Sequence, residues 1–530
     1  MLSYKHKRKN SFLQEGQKGL KMLEPAAIFG NGMILQREQE VFVWGKDDQA
    51  QSVEVVLEDK KYSAEVKDGS FLVKLPSHDA ATGLTLTVRG SSEIVLQDVC
   101  FGDVFYLTGQ SNMELPVSRT LDVSKEEVEN SNYPLIRQYR VTPQFNMQEE
   151  ETAELAKNPW TDASPEKIGE MSAAGFYFAR RLYDDIKIPI GLVLAAQGGS
   201  TIESWMPEEL LSKYGIYKEK MAPFMGKDKL TEYLKSRDQG IANWRGALSS
   251  EDDEKRINAI PEDAEDFTVP GMLLKKDGKS VTGIVWFYKE FTLEKAPSED
   301  AFLYLGDLID ADRTFINGTL VGNTEYRYPP RKYPFDGSIL KKGKNLIAVR
   351  LIIETGDGGF VAEHPYFLRS GEEVIELSGE WKMAKGKQAD AAVPSFSMGQ
   401  EIPTALYKTS VRTLKNYMFR GVLWYQGEAN SVDPERYSEK YSDMIRFWRE
   451  LFHQKLPLLC VEMADYTDPV TGETPDGWDK IQAQQRQAEK DLPDCLVVSA
   501  KDLSTPLELH PQRKSELGAR LYEAGKKLFY

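Results

Sequence analysis

Strand–helix–strand patterning that starts near residue 103, breaks off near 246 and resumes at 417 restricts this chain's fold more than any other feature. VFYLTG is a short buried-type strand, MSAAGFYFARRLYDDI has a helical period, and IPIGLVLAAQGG is a second buried strand ending in glycines. A parallel sheet is covered on both faces by its crossover helices, so its strands read as apolar runs rather than alternations. After residue 417 the same alternation returns in FRGVLWYQG, RYSEKYSDMIRFWRELF, LPLLCVEMA, CLVVSA and KSELGARLYEAGKKLF. A chain that leaves a fold and re-enters it does so at surface loops. The pattern therefore predicts one α/β domain split by an inserted domain.

The segments around the α/β halves have the two-residue period of strands. Over 27–98, VFVWG, SVEVVLED, SAEVKDGSFLVKLP and LTLTVRG predict a small β-sandwich. Acidic, Pro-containing stretches (SSEDDEKR, PEDAED) lead into GIVWFYKEFTL, AFLYLGDL, RTFINGTLVG and NLIAVRLII, with Asn317-Gly318 as a hairpin turn. This second block predicts a β-sandwich or jelly roll. The expected organisation is a basic tail over 1–26, an N-terminal β-sandwich over 27–98, a first α/β part over 99–247, an insertion over 248–402 and a second α/β part over 403–530.

Composition narrows the function. A net charge of −15 argues against nucleic acid or an anionic membrane as the main partner, since both need a basic surface. No apolar run is long enough to span a bilayer. The three cysteines, Cys100, Cys460 and Cys495, form neither a metal motif nor a disulfide framework, and the basic start lacks an apolar leader core. A cytoplasmic location is the expectation. No HxxxH spacing and no Gly-x-Ser-x-Gly elbow occur, and Gly278-Lys279-Ser280 fails as a phosphate loop because its upstream glycine is misplaced. The expected chemistry uses no metal and no cofactor.

What remains clusters at strand C-termini, where open α/β sheets place their sites. Gly109-Gln110-Ser111-Asn112-Met113 follows VFYLT, and Gly198-Gly199-Ser200 follows IGLVLAAQ. Trp424-Tyr425-Gln426-Gly427-Glu428-Ala429-Asn430 follows RGVL, and His510-Pro511 precedes the last helix. Of five histidines, His6, His78, His364 and His453 fall in the tail, a β block, the insertion and an exposed helix end, which leaves His510. Serine is a poor nucleophile until a base takes its proton, and a neutral imidazole can do so. An oxyanion needs preorganised donors. The N–H groups of Ser111 and Gly198, with a side-chain amide from Gln426 or Asn430, would supply them. The combination points to acyl transfer.

GQSNM, GGSTIESW, WYQGEAN and the HP before a final helix resemble the SGNH-hydrolase superfamily, and within it the sialate O-acetylesterase branch of carbohydrate esterases. The insertion, with GDLIDADRTFINGTLVG and LKKGKNLIAVR, resembles the sugar-binding-like jelly roll of family 2 glycosidases. The resemblance implies a flavodoxin-like three-layer α/β/α hydrolase domain with Ser111 as nucleophile, His510 as base and Gly198 as an oxyanion donor. It also implies an O-acetylated carbohydrate as substrate. Position 507, where most such enzymes hold an Asp, is Leu507, which cannot orient an imidazole. The resemblance to Gln-Gly-Glu esterases then implies Glu428 as the orienting acid, with Asp502 and Glu508 as alternatives, and Gln426 near the oxyanion. Acetyl xylan or another plant glycan remains an alternative substrate. A catalytically impaired carbohydrate-binding protein is the alternative to an enzyme. Trp205 and Trp424 are candidate sugar-stacking walls, and Arg119 is a candidate partner for a substrate carboxylate.

Overall fold

The computed structural model describes residues 22–145, 147, 154–215, 217–226, 228–248, 253–274 and 281–530. The basic tail up to residue 21 and the Gly278-Lys279-Ser280 match lie outside the described residues. The central sheet contains β1 (Glu93–Gly109), β2 (Tyr133–Arg140), β3 (Trp160–Ala163), β4 (Ile190–Ala196), β5 (Gly421–Tyr425), β6 (Leu458–Glu462) and β7 (Cys495–Ser499). Their order across the sheet is β3-β2-β4-β1-β5-β6-β7, all parallel except the antiparallel edge β3. The two halves of the interrupted pattern thus meet at β1 and β5, in the middle of one sheet.

Strand alternation decides what covers the sheet. Phe105 of β1 packs on Phe178 and Phe529, so helices α1 (Ala173–Ile186) and α2 (Lys514–Phe529) cover one face. Its neighbour Tyr106 packs on Trp448 and Phe452 of the helix Tyr437–Phe452, which covers the other. Both faces are dry, which is why β4, β5 and β6 are buried at every residue. Helix α1 starts where its cap allows: Ser172 Oγ accepts from Gly175 N at 3.1 Å.

Strand β1 runs straight through the boundary expected at 98/99. Its first half pairs antiparallel with Ala81–Arg89 of the N-terminal block, and its second half is the centre of the parallel sheet. The N-terminal block also shares one hydrophobic core with the α/β domain. Phe29, Trp44 and Tyr417 form an aromatic contact across the junction, and Tyr417 Oη donates to Ile34 O at 2.6 Å. The N-terminal block and the α/β domain are therefore one packed unit.

The insertion has cores of its own. A six-stranded antiparallel sheet, with Gly283–Leu293 and Gly343–Ile353 at its centre, faces a four-stranded sheet built around Asp300–Leu305 and Tyr366–Ser370. Val285 and Phe287 point into the core between the sheets, while Ile284, Trp286 and Tyr288 point to the opposite face, against Leu248 and Phe315. GIVWFYKEFTL is a continuous apolar run because both its faces are covered. Asn317 and Gly318, with φ of 48° and 83°, make the two-residue turn expected between strands Ala311–Ile316 and Thr319–Thr324. The insertion docks on the α/β domain through Asp122, whose carboxylate accepts from Lys332, from Tyr304 Oη at 3.1 Å and from Gln512 Nε2 at 2.9 Å. Among the described residues no helix is long and apolar enough to cross a membrane.

Candidate active site

The C-terminal edge of the sheet brings together the GQSNM, GGS, QGEAN and HP segments. Gly109 has φ +125°, and a Cβ there would lie 2.2 Å from Tyr425 O, so strand β1 can turn only with glycine at this position. Gln110 N donates to Tyr425 O at 2.8 Å, and the buried Gln110 side chain accepts from Ala429 N at 3.2 Å. The turn delivers Ser111, half-buried, as the first residue of a helical turn, Ser111–Glu114. The leading N–H groups of such a turn have no intrahelical acceptor and point outward.

His510 Nε2 is 2.9 Å from Ser111 Oγ. Burial, reinforced by the positive charges of Arg119 and Lys514, pushes the His510 pKa from 6.5 down to about 3. At neutral pH the imidazole is therefore neutral and able to accept the Ser111 proton. The loop is held one residue upstream, where Asn112 Nδ2 donates to Leu509 O at 3.0 Å. Tyr328 of the insertion meets the His510 ring edge-on at 5.6 Å.

The carboxylates are placed differently from the expectation. Glu428 does not hold His510: its Oε1 accepts from Asn112 Nδ2 at 2.6 Å, and its buried Oε2 has no hydrogen-bond partner among the described residues. Desolvation raises the Glu428 pKa. Asn112 Oδ1 in turn accepts from Lys514 Nζ at 2.8 Å, with the ammonium over the Tyr425 ring. Burial brings Lys514 down to about 7. Asp502 is exposed and engaged by Arg520 through two 2.7 Å bonds, which lower its pKa to about 2. Glu508 accepts from Gln512 N at 2.8 Å, and burial raises its pKa. Among the described residues, the hydrogen bond His510 makes through its side chain is the one to Ser111.

The expected oxyanion donors also separate. Gly198 lies beside Ser111, and a Cβ there would be 3.4 Å from Ser111 Cβ. Its N–H donates to Glu114 Oε2 at 2.8 Å, and Glu114 is paired with Arg140. Gln426 and Asn430 are engaged with neighbouring loops. Gln426 Nε2 donates to Asn430 Oδ1 at 2.7 Å and to Ser200 O at 3.0 Å, so both its amide hydrogens are used. Asn430 Nδ2 donates to Glu203 Oε2 at 3.0 Å, and Glu203 is paired with the buried Lys440. These amides stitch the loop after β5 to the loop after β4. Trp205 and Trp424 are fully buried against each other and Trp448, so they are core rather than sugar-stacking walls.

The pocket at His510 is built from both domains. Leu115, Arg119, Leu507, Glu508 and His510 line it on one side, and Asp307, Arg327, Tyr328, Glu363 and His364 of the insertion on the other. Arg119 donates to Tyr328 O at 3.3 Å, while Arg327 is paired with Asp310 at 2.9 Å. Burial moves Asp307 up to about 7, Glu363 up to about 9 and His364 down to about 4. Sequence reasoning missed Asp307, Tyr328, Glu363 and His364 because no motif marks which edge of an inserted domain faces a site.

A family model described as carbohydrate esterase, sialic acid-specific acetylesterase, matches residues 101–231 and 387–527, just over half the chain and on both sides of the insertion. A sialate O-acetylesterase of Pongo abelii is 28% identical over 217 residues, covering 38% of this chain and 42% of that protein. One of Mus musculus is 31% identical over 213 residues, covering 36% and 39%. The chain thus matches about two fifths of the length of these curated relatives. A solved carbohydrate acetylesterase of Xanthomonas citri aligns with a TM-score of 0.57 at 20% identity, covering 96% of this chain and 76% of that one, a likeness of fold.

Proposed function

We propose, because this chain belongs to the carbohydrate esterase family of sialic acid-specific acetylesterases, that it is a serine esterase releasing acetate from O-acetylated carbohydrates. The observation that carries the proposal is the 2.9 Å contact between a neutral, half-buried His510 and Ser111. On this reading, Ser111 Oγ attacks the acetyl carbonyl as its proton passes to His510 Nε2. The oxyanion forms at the Ser111 N–H and at the Gly198 N–H, which Glu114 must then yield. Collapse breaks the ester bond, and the departing sugar oxygen takes the proton back from His510. Water, deprotonated by His510, then releases acetate and restores Ser111.

The same reading takes the α/β part as a three-layer SGNH hydrolase and the insertion as a jelly-roll wall of the substrate pocket. The helices on both sheet faces and the Tyr328–His510 contact support it. Following the curated relatives, O-acetylated sialic acid is the first substrate to try, with acetylated plant glycans beside it. Ser111→Ala tests the mechanism. It should abolish p-nitrophenyl acetate turnover by several orders of magnitude and abolish labelling by a fluorophosphonate, with the thermal melt unchanged. Retention of more than about 1% of turnover would remove Ser111 from the chemistry.

A further inference from the structure

We propose that Asp307, Glu363 and His364 form a binding site for one divalent transition-metal cation of the zinc class on the insertion's side of the Ser111 pocket. One ligand atom from each residue lies within 4.8 Å of the others. His364 Nε2 is 3.3 Å from Glu363 Oε1 and 3.8 Å from Asp307 Oδ2. Metal–ligand bonds of about 2.1 Å at tetrahedral angles place neighbouring ligand atoms about 3.4 Å apart. The two distances from His364 are within about half an ångström of that spacing, and the third pair lies within 4.8 Å.

A second observation points to a ligand. Among the described residues, Asp307 Oδ1, a buried atom, has no hydrogen-bond partner. The Glu363 side chain is 7% exposed, and its contact is with His364, inside the trio. Among the described residues neither carboxyl group has a lysine or arginine at salt-bridge distance. A carboxylate largely withdrawn from water is costly to ionise without a cation, and a bound cation removes that cost.

The backbone presents the trio rigidly. Asp307 follows strand Asp300–Leu305, and Glu363 and His364 follow strand Gly358–Phe360. Val361 N donates to Asp307 O at 3.0 Å and locks the two loops together. An imidazole with two carboxylates suits zinc and, more weakly, manganese. Structural zinc sites close with four protein ligands, whereas three leave a position open. Here the open side is the pocket shared with His510, where the cation would offer a substrate oxygen a positive partner.

The test is calorimetric titration of the full chain, stripped with EDTA and desalted, with zinc chloride and then with manganese chloride. One zinc ion per chain with a Kd of about 10 µM or tighter is expected, with manganese weaker. His364→Ala, Glu363→Gln and the isosteric Asp307→Asn should each weaken zinc binding at least about tenfold while keeping a cooperative melt. Ser111→Ala should bind zinc like the unaltered chain, so failure of the esterase proposal and failure of this one are distinguishable. Absence of stoichiometric binding up to about 1 mM zinc, or binding that none of the three trio substitutions weakens, would overturn the site.

Discussion

Largely desolvated in its pocket and facing the charges of Arg119 and Lys514, the half-buried His510 has little tendency to take a second proton. A general base must be neutral to act, so the acid limb of kcat/KM should lie well below pH 6.5, with turnover flat from there to about pH 8. A limb centred at 6.5 or above would mean that the imidazole is solvated rather than buried. The same shift acts on stability. Between the folded value of about 3 and the unfolded value of 6.5 the unfolded chain binds a proton that the folded chain does not, so this group destabilises the fold as pH falls through that window. Glu428 is the other residue-scale case. Because it meets Asn112 rather than His510, Glu428→Gln should cost less than about tenfold in kcat, far from the loss of an orienting carboxylate. Asn112→Ala should cost more, since it releases Leu509 O and leaves the buried Glu428 and Lys514 without their shared partner, a destabilisation of about 1–3 kcal/mol. Thermal melts and steady-state kinetics on both variants separate the two effects. A hundredfold loss of kcat in Glu428→Gln at an unchanged melting temperature would restore the carboxylate–imidazole contact.

Between elements, one carboxylate decides how the insertion meets the His510 loop. Asp122 takes Tyr304 and Lys332 from the insertion and Gln512 from the His510 loop. Hydrogen bonds from Lys332 and Gln512 outweigh desolvation, the largest single influence, and hold Asp122 below the usual 3.8. The docking should therefore persist down to pH values below the ordinary carboxylate range. Asp122→Asn keeps the shape but loses the charge that Lys332 pairs with. We expect KM for an acetylated glycan to rise several-fold while p-nitrophenyl acetate, which needs little of the insertion's wall, changes less than about twofold. Equal changes for both substrates would mean that Asp122 acts on the chemistry itself.

At the scale of the molecule, the insertion is separable in its cores but not in its role. Its first and last strands, Glu265–Val269 and Gly379–Gln388, pair antiparallel, so the two ends of the block lie side by side. Excising 265–388 with a short linker should leave a chain that melts cooperatively, because the core around the central sheet contains none of the excised residues. The Ser111–His510 contact should survive, with aryl acetate turnover within about tenfold, while glycan KM rises as the wall formed by Tyr328 disappears. Failure to melt cooperatively would show that the Leu248–Trp286 contact region is needed for the α/β fold.

Periodicity and turn chemistry made the frame legible from sequence. Apolar runs marked β4, β5 and β6 because a sheet covered on both faces favours apolar residues along them, and KSELGARLYEAGKKLF matches helix α2 from Lys514 to Phe529. That the GQSNM turn and the HP loop would meet was legible for a related reason: both follow apolar strands at the C-terminal edge of one sheet. The remainder depended on where side chains point across long sequence separations. The loop after β5 carries one carboxylate and two amides, and sequence could not tell that Asn112 would claim Glu428 while Ser200 and Glu203 claimed Gln426 and Asn430. Nor could it tell that strand β1 would fuse two expected domains, or that Asp307, Tyr328, Glu363 and His364 would face His510. Local propensity fixes the direction of a strand, but hydrogen-bond partners and pocket walls are chosen by packing between elements hundreds of residues apart, and that choice exists only in the folded chain.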